Sequence, residues 1–441
     1  GPSSCTPGDG WQGGYPSLWV SGSDQRWLPL ISFSPAGRLM VELSPMRVLF
    51  IADGRSPIAR NWIDYFLADG WEVHLASTFA CRPDPRLASY TFIPVAFSAA
   101  KQAAPPPGAP AAPRRAAPLW SARLVGLRTG VRQLLGPLTL PAAARRLSRL
   151  VDRLQPDLLH AMRIPFEGML AAQARPRPPL LVSVWGNDFT LHARSTPWMA
   201  ALTRRTLRAA GALHADCRRD VRLAGEWGFA PGRPSIVLPG AGGLQPEIFY
   251  PPSEPVRRPR LVMPRGFRAY VDNRLFFHSL PGVARWFPSL QVVCPAMAGE
   301  RQVLDWIEQL GLQQHVELLP PIPRPQMAEL LRGARAVVSP ATHDGTPNTL
   351  LEGMACGCLP VAGDLESLRE WITPGENGLL PALDGPSPGG DSPLAQAMLR
   401  ALQDDALCDQ AAAINRRLVT ERAAYPIVMA AAADFYRTIS A

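Results

Sequence analysis

Residues 46–77 carry the tightest constraint on the fold. MRVLFIAD (46–53) is a short apolar strand that runs into Asp53-Gly54. SPIARNWIDYFLADG (56–70) opens a helix with a serine cap and a proline at the first helical position, and stops it at Gly70. WEVHLAS (71–77) is a second strand. Strand, helix and strand within about 30 residues make a βαβ unit, which requires a parallel sheet.

The alternation continues. Further strands are expected over 91–97, 156–162, 180–186, 212–216 and 235–240, with Arg-rich helices such as 141–154 and 197–210 between them. YPPSEPVRRP (250–259) has the composition of a linker. The pattern then restarts, with strands over 260–266, 290–296, 316–320, 336–341 and 358–363. The expected division is a Gly/Ser/Pro-rich tag or flexible extension over 1–45, a Rossmann-like half over 46–245, a second Rossmann-like half over 246–425, and a C-terminal helix over 426–441 packing back on the first. The length, 441 residues, suits two or three domains. The Pro/Ala segment at 98–118 cannot be helical throughout and is long for an internal loop, as binding loops and lids often are.

Composition narrows the chemistry. Hydrophobic residues make up 47% and charged residues 18%, and no apolar run reaches the roughly 18 residues of a membrane-spanning helix. No basic-then-apolar stretch with a clean cleavage site is legible near the start, so no signal peptide is expected, and the seven scattered cysteines form no paired pattern, so reduced thiols in the cytoplasm are expected. Cys356 and Cys358 read as small core residues, because no second Cys or His pair lies nearby. The net charge of +9 comes almost wholly from arginine, Lys101 being the only lysine. Such a bias is weak support for nucleic-acid binding, and none is expected. It does mean that a site needing a cation elsewhere must use an arginine fork or a histidine.

Two nucleotide-binding patterns are missing. ADGRSPIAR, after the first strand, has one glycine, and the second strand ends HLAST without an acid, so a dinucleotide site is not expected. A Gly-Lys-Ser/Thr phosphate loop is absent as well. HDGTPNTLLEGMACG (343–357) has a different geometry. Thr346 can cap a helix with Pro347 at its first position, and Gly357 can end it. The free amides around Gly345, Asn348 and Thr349, with the helix dipole, suit a diphosphate. Asp344 precedes the helix and Glu352 lies inside it, about 8–9 Å along the axis by helix rise. That is roughly the distance from a diphosphate to the far side of its ribose, and both carboxylates can accept from hydroxyls.

This pair resembles the acid-x7-Glu motif of the retaining GT-B glycosyltransferases of family 4. GMACGCLPVAGDLESLREWITPGENGLL (353–380) is similar to the rest of that family's donor region, and VLPGAGGLQPEIFYP (237–251) to its segment between halves. The resemblance implies an α/β protein of GT-B fold, two Rossmann-like domains across a cleft. It implies transfer of a sugar from a UDP- or GDP-linked donor to an acceptor hydroxyl, with retention, by a front-side mechanism. Asp344 would meet the sugar and Glu352 the ribose, with Gly345, Thr346, Pro347, Asn348, Thr349 and the turn at Gly363 beside the donor. The sequence departs from the family where Asp344 replaces the usual Glu, and where PRGFRAYVDNR (264–274) offers Arg265 and Arg268 but no lysine for the diphosphate. The first half would hold the acceptor near Gly54, Arg55, Ser56, Asn187 and Asp188. His160 ends a strand similar to one that carries a sugar-facing histidine in the family; with Asp344 and Arg265 it makes the expected catalytic set. No Asp-x-Asp ends a strand convincingly, so neither metal nor cofactor is expected. Two rival readings stay open: a nucleotide-sugar epimerase, and a non-catalytic binding protein that meets the membrane surface through the Arg-rich stretch 123–153.

Overall fold

In the computed structural model, residues 45–98, 132–385 and 391–441 are described. The N-terminal extension, nearly all of the Pro/Ala segment at 98–118 and the start of the Arg-rich stretch lie outside them.

The first half is a seven-stranded parallel sheet in the order β3-β2-β1-β4-β5-β6-β7. Its strands are β1 (Arg47–Ala52), β2 (Glu72–Ser77), β3 (Ser89–Phe92), β4 (Leu158–Ala161), β5 (Leu180–Val184), β6 (Ala212–Ala215) and β7 (Ser235–Val237). Helix α1 (Pro57–Ala68) makes the first crossover, and Ser56 caps it by accepting from the Ala59 amide. The next helices are α2 (Leu140–Leu154), α3 (Met169–Ala174), α4 (Pro197–Ala209) and α5 (Arg218–Glu226). Both faces of the sheet are covered, which is why the strands read as unbroken apolar runs. Leu49 and Ile51 of β1 belong to the core on the α2–α4 side, while Val48, Phe50 and Ala52 belong to the core under α1. The third strand is shorter than the 91–97 run suggests. Pro94 offers no amide to a ladder, and Ala96 and Phe97 turn the chain with φ of 48° and 62°.

The second half is a five-stranded parallel sheet, β10-β9-β8-β11-β12. It contains β8 (Arg260–Val262), β9 (Gln291–Cys294), β10 (Val316–Leu318), β11 (Ala336–Ser339) and β12 (Leu359–Ala362). Helices α6 (Asn273–Trp286), α7 (Arg301–Gln309), α8 (Arg324–Arg332), α9 (Asn348–Ala355), α10 (Pro393–Gln403) and α11 (Asp405–Arg422) accompany it. The last helix, α12 (Tyr425–Ser440), returns to the first half. Met429, Ala432, Ala433 and Tyr436 pack in the same core as Phe50 and Trp62, and the Tyr425 hydroxyl donates to the Asn61 carbonyl at 2.8 Å.

Open parallel sheets hold ligands beyond the carboxyl ends of their strands, where the strand order reverses. That point lies between β1 and β4 in the first sheet and between β8 and β11 in the second. Both carry a cavity, one lined by Arg55, Ser56, Met162 and Arg163, the other by Arg265, His343 and Asp344.

Candidate active site

The cavity between the halves is framed by Arg265 and Tyr270 beyond β8, by Asp344 and the start of α9 beyond β11, and by Trp185, Gly186, Asn187 and Asp216 from the first half. It brings two expected residues together. Arg265 Nη2 lies 2.8 Å from Asp344 Oδ2, and its guanidinium sits over the Tyr270 ring at 5.4 Å. The approach is too oblique for a hydrogen bond, so Asp344 Oδ2 has no hydrogen-bond partner, while Oδ1 accepts from the Gly345 amide at 3.1 Å. Burial pushes the Asp344 carboxyl up from its ordinary range, and Arg265 opposes that push.

Helix α9 begins differently from the sequence reading. Thr346 is not its cap. Its hydroxyl donates to the Asp216 carbonyl across the cleft and accepts from Trp371 Nε1 at 3.0 Å, and Pro347 takes the N-cap position with no side-chain bond. A hydroxyl already bonded to the other half has no reach to spare for a cap. Beyond it, Asn348 Oδ1 and Thr349 Oγ1 are buried without hydrogen-bond partners. Unpaired buried polar atoms are costly, and at a helix start they mark where a ligand's polar groups fit.

Glu352 is buried within α9, and the nearest cation, Arg324 Nη2, is 3.7 Å from Oε1. Burial pushes its carboxyl up to about 7, with Arg324 offsetting only part. The sign follows from proton linkage: the folded state binds this proton more tightly than the unfolded chain, so its stability contribution is full below 4.5 and declines towards pH 7. A ligand that donates hydroxyls to this carboxylate prefers the ionised form. Affinity for such a ligand should therefore rise between pH 6 and 8, by at most about tenfold per unit below the pKa. Titration calorimetry across that range should show the slope for the natural chain and a flat profile for Glu352→Gln.

Arg219, which the sequence reading did not single out, ties the halves together. Its Nη1 donates to the Asp344 carbonyl at 2.7 Å, Nη2 to the Gly186 carbonyl at 2.9 Å and Nε to Asp220 Oδ1 at 2.9 Å. Across from it, the Glu370 carboxylate accepts from the amides of Arg218 and Arg219 at the start of α5. Gly186 and Gly345 meet without side chains: an ideal Cβ on Gly186 falls 1.8 Å from the Gly345 nitrogen. Asp216 faces the same junction. Burial first, then Asp220 and Asp344, hold its carboxyl well above its usual range, and its Oδ1 has no partner. Among the described residues, Asp216, Cys217 and Asp220 are the group spaced to hold a metal. Two features disfavour one there: burial pushes the Cys217 thiol far up, and Asp220 Oδ1 already pairs with Arg219, which leaves Oδ2 alone unpartnered.

Other expected residues lie elsewhere. His160 is buried in the first core and does not reach the cleft. Register pairs it with Phe50, on the sheet face that α1 and α12 cover. There Tyr436 donates to His160 Nδ1, His160 Nε2 donates to Ser183, Ser183 to His214 Nδ1, and His214 Nε2 to the Leu238 carbonyl. One proton ordering satisfies this whole chain, with both histidines neutral, as burial requires. The Arg268 side chain is exposed and does not line the cleft. The Gly363 amide donates to the Ser339 carbonyl, and a Cβ there would fall 2.6 Å from the Ala341 carbonyl oxygen, so this glycine serves close packing. Asp188 is also turned inward: it accepts from Arg163 Nε at 3.0 Å and from the amides of Ile164 and Trp185. Asn187 lines the cleft and accepts from Arg163. Arg55 and Ser56 line the cavity of the first half. Gly54 lies behind them, where a Cβ would strike Cys81 Sγ at 2.5 Å.

Two family models match the chain: a glycosyl transferase 4-like domain over residues 53–240, and glycosyl transferases group 1 over 290–417. The chain belongs to this glycosyltransferase family. Among curated relatives, a D-inositol 3-phosphate glycosyltransferase of Streptosporangium roseum is 29% identical over 173 residues, which are 35% of this chain and 39% of the relative. A phosphatidyl-myo-inositol mannosyltransferase of Mycobacterium leprae is 28% identical over 164 residues, 37% and 41% of the two chains. The matched stretches thus span about two fifths of these relatives at most. The fold is GT-B. A sucrose-phosphate synthase from Thermosynechococcus elongatus superposes with a TM-score of 0.66 at 16% identity, over 89% of this chain and 99% of that one. HepE from Anabaena, solved with UDP and glucose, does so with a TM-score of 0.63 at 12% identity, over 89% and 100%.

Proposed function

We propose that this family member moves a sugar from a nucleoside diphosphate sugar to an acceptor hydroxyl with retention of configuration, and needs no metal. One observation carries the reading: the Asp344–Arg265 pair stands at the switch point of the second sheet, beside a helix start with unpartnered polar atoms and a buried Glu352. In this scheme Glu352 accepts from the ribose, the start of α9 and Arg265 hold the diphosphate, and Asp344 holds the sugar. The bond from the sugar's anomeric carbon to the diphosphate oxygen breaks. The acceptor oxygen bonds to that carbon on the same face, and its proton passes to the departing diphosphate. Arg265 stabilises the charge that develops there, and closure of the halves orients the partners. The UDP bound by HepE supports UDP as one candidate nucleotide. Among the described residues no helix is long and apolar enough to cross a membrane, and we place the reaction in the cytoplasm.

The test is a panel of UDP- and GDP-sugars scored by thermal shift and by release of the nucleoside diphosphate. A sugar nucleotide should raise the melting temperature, and Glu352→Ala should abolish the shift. Full stabilisation of the variant would overturn the donor assignment. Conversion of donor to its epimer without any acceptor would overturn the transfer reading.

A further inference from the structure

We propose that the cavity in the first half is built for an acceptor bearing a phosphate ester, gripped chiefly by Arg132. This rests on the transfer reading above and names the substrate class of its acceptor side.

The cavity, about 280 Å³, lies at the switch point of the seven-stranded sheet and draws arginines from three separate segments. Two of them are neutralised internally. Arg55 donates to both oxygens of Asp53, at 3.0 and 2.9 Å, and Arg163 pairs with Asp188. Arg132 differs. Among the described residues no carboxylate forms an ion pair with it, and its Nε is buried without a hydrogen-bond partner. Its guanidinium is held over the rings of Phe166 at 4.7 Å and Phe79 at 5.3 Å. Burial pulls its pKa down, the mark of a cation short of solvent. Two acids line the same cavity: Asp53 is taken up by Arg55, and Glu167, which forms no ion pair with Arg132 among the described residues, offsets the burial of that cation only in part. Glu167 is buried, takes a bond from Thr78 at 2.8 Å, and burial pushes its carboxyl towards the neutral form.

A desolvated guanidinium without an anion is expensive, and what satisfies it is an anion with two oxygens in one plane. Phosphate esters and carboxylates both offer that; the start of α1, whose cap Ser56 lines the same cavity, favours the more highly charged ester. Phe79 and Phe166 give the ligand's carbon frame apolar walls. Trp185 lines this cavity and the cleft between the halves alike, and its Nε1 is buried without a partner. That free donor marks the passage through which an acceptor hydroxyl points towards the sugar, while the phosphate stays at Arg132.

Phosphate esters of this kind occur on free polyols and on lipid headgroups. Calorimetry on the full chain should use sn-glycerol 3-phosphate against glycerol, and UDP and GDP as donor-side probes. Glycerol 3-phosphate should bind and glycerol should not. Arg132→Gln should weaken that binding by about tenfold or more, and Arg132→Lys, which keeps charge but not the fork, by less. Neither should change nucleotide affinity, which also reports that the variants are folded. If the natural chain binds nucleotide but does not distinguish the two polyols, or if Arg132→Gln distinguishes them as well as the natural chain, this inference fails and the donor reading stands. If no nucleotide binds but Arg132-dependent phosphate binding persists, the donor reading fails and this site stands. Phosphatidylcholine vesicles with and without phosphatidic acid assign the source: Arg132-dependent capture by the acidic vesicles supports a lipid headgroup, and soluble binding alone supports a free ester.

Discussion

Gly186→Ala should reduce sugar transfer by about a hundredfold while each half stays folded. The added Cβ would lie 1.8 Å from the Gly345 nitrogen, 2.3 Å from its Cα and 2.6 Å from the Asp344 carbonyl carbon. Carbon contacts settle at about 3.5–4.0 Å, so the loop carrying Asp344 must retreat by about 1.5 Å or more. All three obstructing atoms are backbone, and no rotamer change relieves them. A displacement near 1 Å in a reacting constellation already costs on the order of 10² in rate. The backbone at Gly186 is outside the positive-φ region, so alanine introduces no strain of its own there. The groups proposed to hold the nucleotide, at α9 and Glu352, remain intact, and thermal shift by nucleotide should therefore persist. Turnover with the donor found in the panel is the readout. Unchanged turnover would mean that reaction does not require the two glycines to meet.

Why the sequence revealed some of this and hid the rest follows from how far each signal reaches. The βαβ alternation is local, and the strands over 156–162, 212–216 and 336–341 fall where β4, β6 and β11 form, each a little shorter. Asp344 and Arg265 were legible because each follows a strand, and adjacent strands bring their ends together. His160 looked equivalent by the same logic, yet register set it beside Phe50 and the returning α12 closed over it. Nothing local announces a helix arriving from 276 residues away. Thr346 had the chemistry of a cap, and only the docking of the halves reassigns its hydroxyl to Asp216. Gly186, Asp216 and Arg219 depend wholly on that docking. In the sequence they are a turn glycine, a strand-end acid and one arginine among many. Arg132 was equally silent, because what distinguishes it is the missing anion, and a missing contact has no sequence signature.

Arg219→Ala should be the most destabilising single change in the cleft, and more so at alkaline than at acid pH. Its guanidinium is the shared donor to two carbonyls on opposite halves and the ion-pair partner of buried Asp220. Removing one partner of a buried pair costs about 3–5 kcal/mol, because the other charge is left uncompensated. For domains of this size that is a fall of roughly 10 °C in melting temperature. The pH dependence follows from the acids left behind. Burial already pushes the Asp216, Asp220 and Asp344 carboxyls up, and in the natural chain Arg219 opposes that push at Asp220 and Asp344. Without it the folded state holds these protons more tightly than the unfolded chain does, so stability is retained at low pH and lost as pH rises. The gap between variant and natural chain should widen from pH 5 to pH 8 in calorimetric melts. A gap that stays constant would show that Arg219 acts through its carbonyl contacts alone. Arg219→Lys separates the two roles, since an ammonium restores the charge beside Asp220 but cannot span the Asp344 and Gly186 carbonyls as the planar fork does. It should recover the pH profile while turnover stays low, because the loop that carries Asp344, the proposed sugar contact, has lost its tether to the first half.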